Sequence, residues 1–433
     1  MLQHRNMVFI RVTLASTVLF ALLAICGAQT KLSEAAVRIE DRILKSEVYD
    51  KRVRPPGLNK TQDPTIVRTN IYVRSLYDIC ETDMSFKVQL TFRHQWADKR
   101  LAFDDLGGQI RFLNVYDVSR LWIPDTFFVH EREGHFHRVI RPNFLVRIYP
   151  DGSVLYSVRV SLKLSCPMNF KKYPFDKQRC EIRMESYGHN AESLAYVWKE
   201  GDPVQVTKTL YTPEYTLEWF RTEYCDVVMS TGNYSCLKVI FEFQRETSNA
   251  ILRVYIPCIM MVLLSWVPLW LNNKSSFMRV IVPILILMVF ANAISQFNHN
   301  EAPKTSYTKA VDVWTGICLT YAFAVVVYVT ILDYLIRHGG SDGQSETPTP
   351  EVDGKRETAK AVDETASATP LKSPGLPERV KTWIQRKRTK TDKADIIARI
   401  VFPALFVLFL IIYFCTFTKD NIRRPFGSTE YVR

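Results

Sequence analysis

The stretch from Val280 to Phe297, VIVPILILMVFANAISQF, constrains this chain more than any other. As a helix it is long enough to cross about 30 Å of hydrocarbon. Arg279 stands at one end, and Asn292, Ser295 and Gln296 lie near the other. At about 100° per residue, Ile281, Leu285, Met288, Asn292 and Ser295 fall on one stripe. Polar groups are costly in lipid, so such a seam needs a neighbour or a water column along it. A single helix cannot enclose water, whereas several copies around an axis can. The stripe therefore predicts the pore-lining span of an oligomeric channel. The alternative open to this stretch alone is a core helix of a small bundle with a polar end.

Apolar runs at 251–271, 311–336 and 396–417 complete a set of four spans with 280–297. Pro257 and Pro268 in the first are tolerated inside a membrane bundle. The formal net charge of +12 raises nucleic acid as a partner. No basic strip interleaved with aromatics supports that reading, and Lys and Arg gather beside the apolar runs instead, as at Arg337 and Arg386-Lys387-Arg388. Residues 1–28, with His4, Arg5 and Arg11 ahead of an apolar run ending in Gly27 and Ala28, read as a secretory signal peptide, with an uncleaved anchor as the alternative. Export followed by an even number of spans puts both chain ends outside the cell.

Between 29 and 249 no run is long enough to span a membrane. Short alternating segments take its place. Phe86, Val88, Leu90 and Phe92 share one face of FKVQLTFR. Val154, Tyr156, Val158, Val160, Leu162 and Leu164 share one face of the next such run, with Ser157 and Arg159 opposite. Leu237, Val239, Phe241 and Phe243 repeat the pattern. The fold class expected is β + α: an extracellular antiparallel β-sandwich followed by a four-helix transmembrane bundle. Cys166 and Cys180 bracket one loop of roughly a dozen residues, and Cys225 and Cys236 bracket another. The sequence alone leaves connectivity open, with short-range pairing the simplest reading; closing such a loop is worth about 3 kcal/mol. Asn59 and Asn233 begin glycan acceptor sequons. Residues 338–395, rich in Ser, Thr, Pro and charge, are expected to form a disordered cytoplasmic loop. The basic stretch near the loop's end is expected to be helical, either anchoring at lipid headgroups or guiding ions. Residues 418–433 are an extracellular tail. No general acid–base pair, nucleophile or metal cluster emerges, so no enzyme, cofactor or metal site is expected.

At Cys166–Cys180 the loop, with Tyr173-Pro174-Phe175-Asp176 inside it, resembles the signature of the Cys-loop, or pentameric ligand-gated, ion channels. Leu121-Trp122-Ile123-Pro124-Asp125-Thr126-Phe127-Phe128, Trp198-Lys199-Glu200-Gly201-Asp202-Pro203 and Ser306-Tyr307-Thr308-Lys309-Ala310-Val311-Asp312-Val313-Trp314 resemble the inhibitory anion branch of that family. The chain looks most like the glutamate-gated chloride channels, with glycine receptors next. The resemblance implies a neurotransmitter-gated subunit in a homo- or hetero-pentamer at the plasma membrane, in a synaptic setting, passing chloride and opened by an amino acid such as glutamate.

Arg74 and Arg93 lie on polar faces of strand-like runs, where an arginine is ordinarily just a solvated charge. A guanidinium is also a fork of donors matched to a carboxylate. The resemblance implies that these two hold the ligand's carboxylates beside Ser157 on one subunit face. Phe127, Ser186, Tyr187, Thr231 and Tyr234 would contribute from the neighbour, with Phe127, Tyr187 and Tyr234 boxing an ammonium. It further implies coupling through Met168-Asn169-Phe170, Arg245 and Lys304-Thr305. Departures lie in the pore. Phe277-Met278-Arg279 stands where Pro-Ala-Arg is usual, Ile281, Leu285 and Met288 replace threonines, and Pro283 is foreign. Arg279 as a ring at the inner mouth would favour anions, but three apolar layers would resist water. Ala324 replaces a glycine, so macrocyclic lactones are expected to fit less well. A poorly conducting binding or assembly subunit is therefore a second expectation. A channel opened by another trigger is a third: glycine, or protons acting on His94, His130, His135, His137 and His189.

Overall fold

Alternation in the first half of the chain becomes two facing sheets. The computed structural model describes residues 32–57, 63–208, 210, 212–271, 276–300, 302–338 and 390–418. The expected signal peptide, the Asn59 sequon, most of 338–395 and nearly all of the C-terminal tail lie outside the described residues. After a helix over 32–43 (α1) come β1 (Thr65–Cys80), β2 (Ser85–Ala97), β3 (Leu113–Val115), β4 (Thr126–Phe128), β5 (Glu131–Phe136), β6 (Phe144–Ile148) and β7 (Ser153–Ser165). They are followed by β8 (Lys177–Ser186), β9 (Leu194–Trp198), β10 (Val204–Val206), β11 (Tyr215–Tyr224), β12 (Val227–Met229), β13 (Gly232–Tyr234) and β14 (Cys236–Arg245).

One sheet runs β10-β1-β2-β7-β6-β3, with β5 also on β7 and β9 also on β1; the other runs β11-β14-β8-β4. The expected antiparallel order needs one amendment, because β9 and β10 both join β1 in parallel. Each of these two arrives by a crossover from elsewhere in the chain, which parallel pairing requires. Inward positions match the alternation: Phe86, Val88 and Leu90 from one sheet and Leu237, Val239, Phe241 and Phe243 from the other are fully buried. At about 25 cal/mol per Å² of apolar surface, this shared layer is what holds the sheets together. Disulfides Cys166–Cys180 and Cys225–Cys236 form as expected.

The remainder of the described chain is helical and forms a second unit, to which Lys171–Phe175 also belongs. Its helices are α2 (Ser248–Trp270), α3 (Ser276–Asn300), α4 (Ala310–His338) and α5 (Lys390–Phe417). All four are long and apolar enough to cross a membrane. Each extends beyond the apolar run that announced it, since helical hydrogen bonding continues into polar flanks. Within this unit, Ala310 N donates to Lys171 O at 3.0 Å and Val311 N to Tyr173 O at 3.1 Å. Tyr255 and Tyr413 share a hydrogen bond between their hydroxyls at 2.7 Å, and Trp314 packs on the Tyr413 ring. Along α3, Leu285 and Met288 are each 60% exposed, and Asn292 and Ser295 are exposed with them; Ile281 is half-buried. The opposite face carries buried Arg279, Pro283 and Phe290. Arg279 thus stands off the seam rather than at its end. Two residues before Ile281 is a rotation of roughly 200°.

Candidate functional site

Strand register decides which polar side chains meet. β2 lies between β1 and β7, so Arg93 is opposite Asn70 on one side and Ser157 on the other. Arg93 Nη1 donates to Asn70 Oδ1 at 2.8 Å, and the Asn70 amide in turn donates to Asp202 O at 2.5 Å. This anchor fixes the guanidinium without neutralising it. Arg74 lies where the β1–β2 register shifts between Val73 and Ser75; its Nε donates to Thr91 Oγ1 at 2.7 Å, and its head lies 5.3 Å from the Tyr72 ring centre. Thr91 is two residues from Arg93, hence on the same face. Arg159, opposite Thr91 on β7, belongs to that face too and donates to Gln89 Oε1 at 2.7 Å. None of these three arginines has a carboxylate within ion-pair distance among the described residues. Burial, and after it the charges of Arg159, His135 and Arg74, holds the nearby His137 below the usual histidine value.

The aromatic half gathers around β4 and β8. Phe127 and Tyr187 meet edge to face with centroids 5.6 Å apart, and Tyr187 is 79% exposed. Asp125 organises the turn after β8, a part sequence reasoning passed over. Its carboxylate accepts from Ser186 Oγ at 2.6 Å and Gly188 N at 2.6 Å, and its backbone oxygen accepts from Tyr187 N at 3.3 Å. Ser186 is consequently buried and spoken for within the chain, while Tyr187 is held outward. The hairpin of β12 and β13 carries Thr231 at its tip, and Tyr234 donates its hydroxyl hydrogen to Thr231 Oγ1 at 3.0 Å. Ala191 N donates to Asn233 O at 2.7 Å, tying the hairpin down at that point; the Asn233 side chain is exposed.

Arginine and aromatic sets therefore stand on different sheets. No hydrogen bond, ion pair or ring contact joins them among the described residues. Family models match at residues 36–247, the neurotransmitter-gated ion-channel ligand binding domain, and at 254–360, the neurotransmitter-gated ion-channel transmembrane region. The chain belongs to the neurotransmitter-gated ion-channel family. A curated relative, the glutamate-gated chloride channel of Drosophila melanogaster, is 41% identical over 427 residues, covering 90% of this chain and 93% of the relative. This is a family of multi-pass membrane ion channels, not of enzymes.

As a family member, the chain carries its ligand-binding domain on the sheets and its spans on α2–α5. A third cluster closes the end of β14. Arg245 Nε donates to Asp176 Oδ1 at 2.7 Å, and its other nitrogens reach Asp176 and Glu81. Tyr215 also donates to Glu81, at 3.0 Å, with the guanidinium 4.7 Å over its ring. Burial works against the Arg245 charge, yet the hydrogen bonds and charge of Asp176 hold its pKa above the ordinary arginine value. Asp176 and Arg245 were visible as motif residues, but nothing in local sequence marks Glu81 as their partner. The proposed titrating histidines divide: His94 is buried against Phe92 and Tyr196, and burial drives its pKa down to about 3.

Proposed function

We propose that the protein is a subunit of a pentameric chloride channel opened by glutamate bound between neighbouring subunits. The observation that carries this reading is the pair Arg74 and Arg93, guanidiniums on one sheet face whose partners within the chain are neutral. An anion with two carboxylates supplies the missing charges, and arginine's fork gives each a two-point contact. Arg74, Arg93 and Ser157 of one subunit would hold the carboxylates. Phe127, Tyr187 and Tyr234 of its neighbour would surround the ammonium, where cation–π attraction is worth about 2 kcal/mol once desolvated. Thr231 would steady Tyr234, and Asp125, through Ser186, would aim Tyr187. The 41% identical glutamate-gated chloride channel supports the choice of agonist and ion.

Opening follows if the agonist binds the open state more tightly than the closed one, through differential contacts of the Tyr234 hairpin. Arg245, the Met168-Asn169-Phe170 segment and Lys304-Thr305 would carry the change to the spans. Ile281, Leu285, Met288, Asn292 and Ser295 would line the pore, with Arg279 at the level of its cytoplasmic end but turned off that seam. Two-electrode voltage clamp of cells expressing the chain tests the reading. Glutamate currents reversing at the chloride potential support it; glutamate currents that follow the sodium potential refute it. The apolar seam of half-buried Ile281 and exposed Leu285 and Met288 favours a second reading, in which the subunit lends a binding face but needs a partner subunit to conduct. Silence alone, with surface protein present and current restored by a related subunit, would select that second reading.

A further inference from the structure

Arg279 is a cation buried in an apolar unit, in the first turn of α3, where the helix dipole disfavours positive charge. Its compensation comes from another span. Arg279 Nη2 donates to Asp395 Oδ1 near the start of α5, and both residues are almost wholly buried. Tyr328 of α4 lies 3.4 Å from that same carboxylate oxygen. The carboxylate is well sited, since it answers both the guanidinium and the positive end of the α3 dipole. Three of the four spans meet at this point. Nearby, Arg399 of α5 donates to Leu269 O of α2 at 2.9 Å, so the fourth is tied in close by.

We propose that Asp395 is a positioning residue that holds the Arg279 guanidinium inside the helix bundle, away from the water-facing seam, and so sets the anion conductance of the cytoplasmic mouth. The proposal rests on the reading of α3 as the pore-lining span. Five exposed arginines at a narrow mouth would concentrate chloride there, while five neutral pairs do so far less. Removing Asp395 takes a buried carboxylate away from a buried charge, and the flexible arginine stem then lets that charge seek water. On the reading of α3 as the pore-lining span, the pore mouth beside this turn offers that water.

The test uses the full-length chain, alone or with whichever related subunit it needs for current. Asp395→Ala should raise single-channel chloride efflux by about twofold or more and make the current–voltage relation rectify inward. Adding Arg279→Gln to Asp395→Ala should abolish that gain, which a general loosening of the bundle would not do. Tyr328→Phe should give a smaller change in the same direction. Where Asp395→Ala does not reach the surface, the exchange variant Arg279→Asp/Asp395→Arg decides. Recovery of surface pentamer to at least half the wild-type level supports the pairing, and failure to recover above either single change overturns it. Conducting Asp395→Ala channels with unaltered conductance and rectification also overturn it. A chain that never carries current in any subunit mixture, yet recovers assembly in the exchange variant, would fail the pore reading while leaving the helix pairing intact.

Discussion

Arg245 and Arg93 are the same residue type on the same β unit, and their surroundings assign them opposite work. Arg245 is buried and meets two carboxylates, Asp176 and Glu81. Arg93 is half-buried and meets the neutral Asn70. A buried charge with its counter-charges in place is a fixture of the fold, because separating them is costly. A charge held by a neutral partner keeps its attraction for an anion from outside. On the proposed reading, counting counter-charges separates a structural arginine from one open to a ligand, where residue type alone does not.

The largest effect that would break this contrast belongs to Arg245. Arg245→Ala leaves Asp176 and Glu81 without their cation, a loss of about 3–5 kcal/mol for a buried pair. Surface biotinylation should find little mature protein, and melting of the detergent-purified channel should shift down; an unchanged melting curve would show the cluster to be dispensable. Arg93→Ala should do the reverse. Agonist potency should fall by more than about 2 kcal/mol, or roughly thirtyfold, while stability moves by no more than about 0.5 kcal/mol. An unchanged concentration response would remove Arg93 from the carboxylate site. Arg93→Lys should recover only part of the loss, because an ammonium lacks the two-point geometry.

Much of the fold was legible because period-2 alternation and long apolar runs are local signals. Phe86 to Phe92 and Leu237 to Phe243 face inward where alternation put them. The parallel placement of β9 and β10 was not legible, since strand order depends on contacts far apart in the chain. The candidate site divides in the same way. Arg74, Arg93, Tyr187 and Tyr234 could be named from motifs, but Asn70 and Thr91 as their anchors follow only from register. Arg279 shows the cost of reading position without angle. Helical spacing from Ile281 already turns it away from the seam, whereas its partner Asp395, 116 residues on, needed the folded chain.

Two faces of β2 extend the contrast to pH. His94 adjoins Arg93 in sequence but points into the core, where burial lowers its pKa from 6.5 to about 3. Between those two values the unfolded chain binds a proton that the folded chain refuses. Stability is therefore full above about pH 6.5 and declines as pH falls toward 3, by up to about 1.4 kcal/mol per pH unit. Thermal melting between pH 6.5 and 5 should reveal this slope, and His94→Gln should flatten it. A slope untouched by that change would assign the acid sensitivity to other groups.

The smallest expected effect tests the aromatic half against the arginine half. Tyr234 keeps its ring in Tyr234→Phe, so attraction to an ammonium persists; only the hydroxyl bond to Thr231 disappears. That bond lies on an exposed hairpin, where water competes, and is worth about 0.5–1 kcal/mol. Glutamate potency should fall about two- to fivefold, and Thr231→Ala should produce a shift of the same size. If the two groups act through one bond, the double variant should lose no more than either single one. Additive losses would mean that each touches the agonist separately, and the hairpin would then hold two contacts where the proposed site has one contact and its brace.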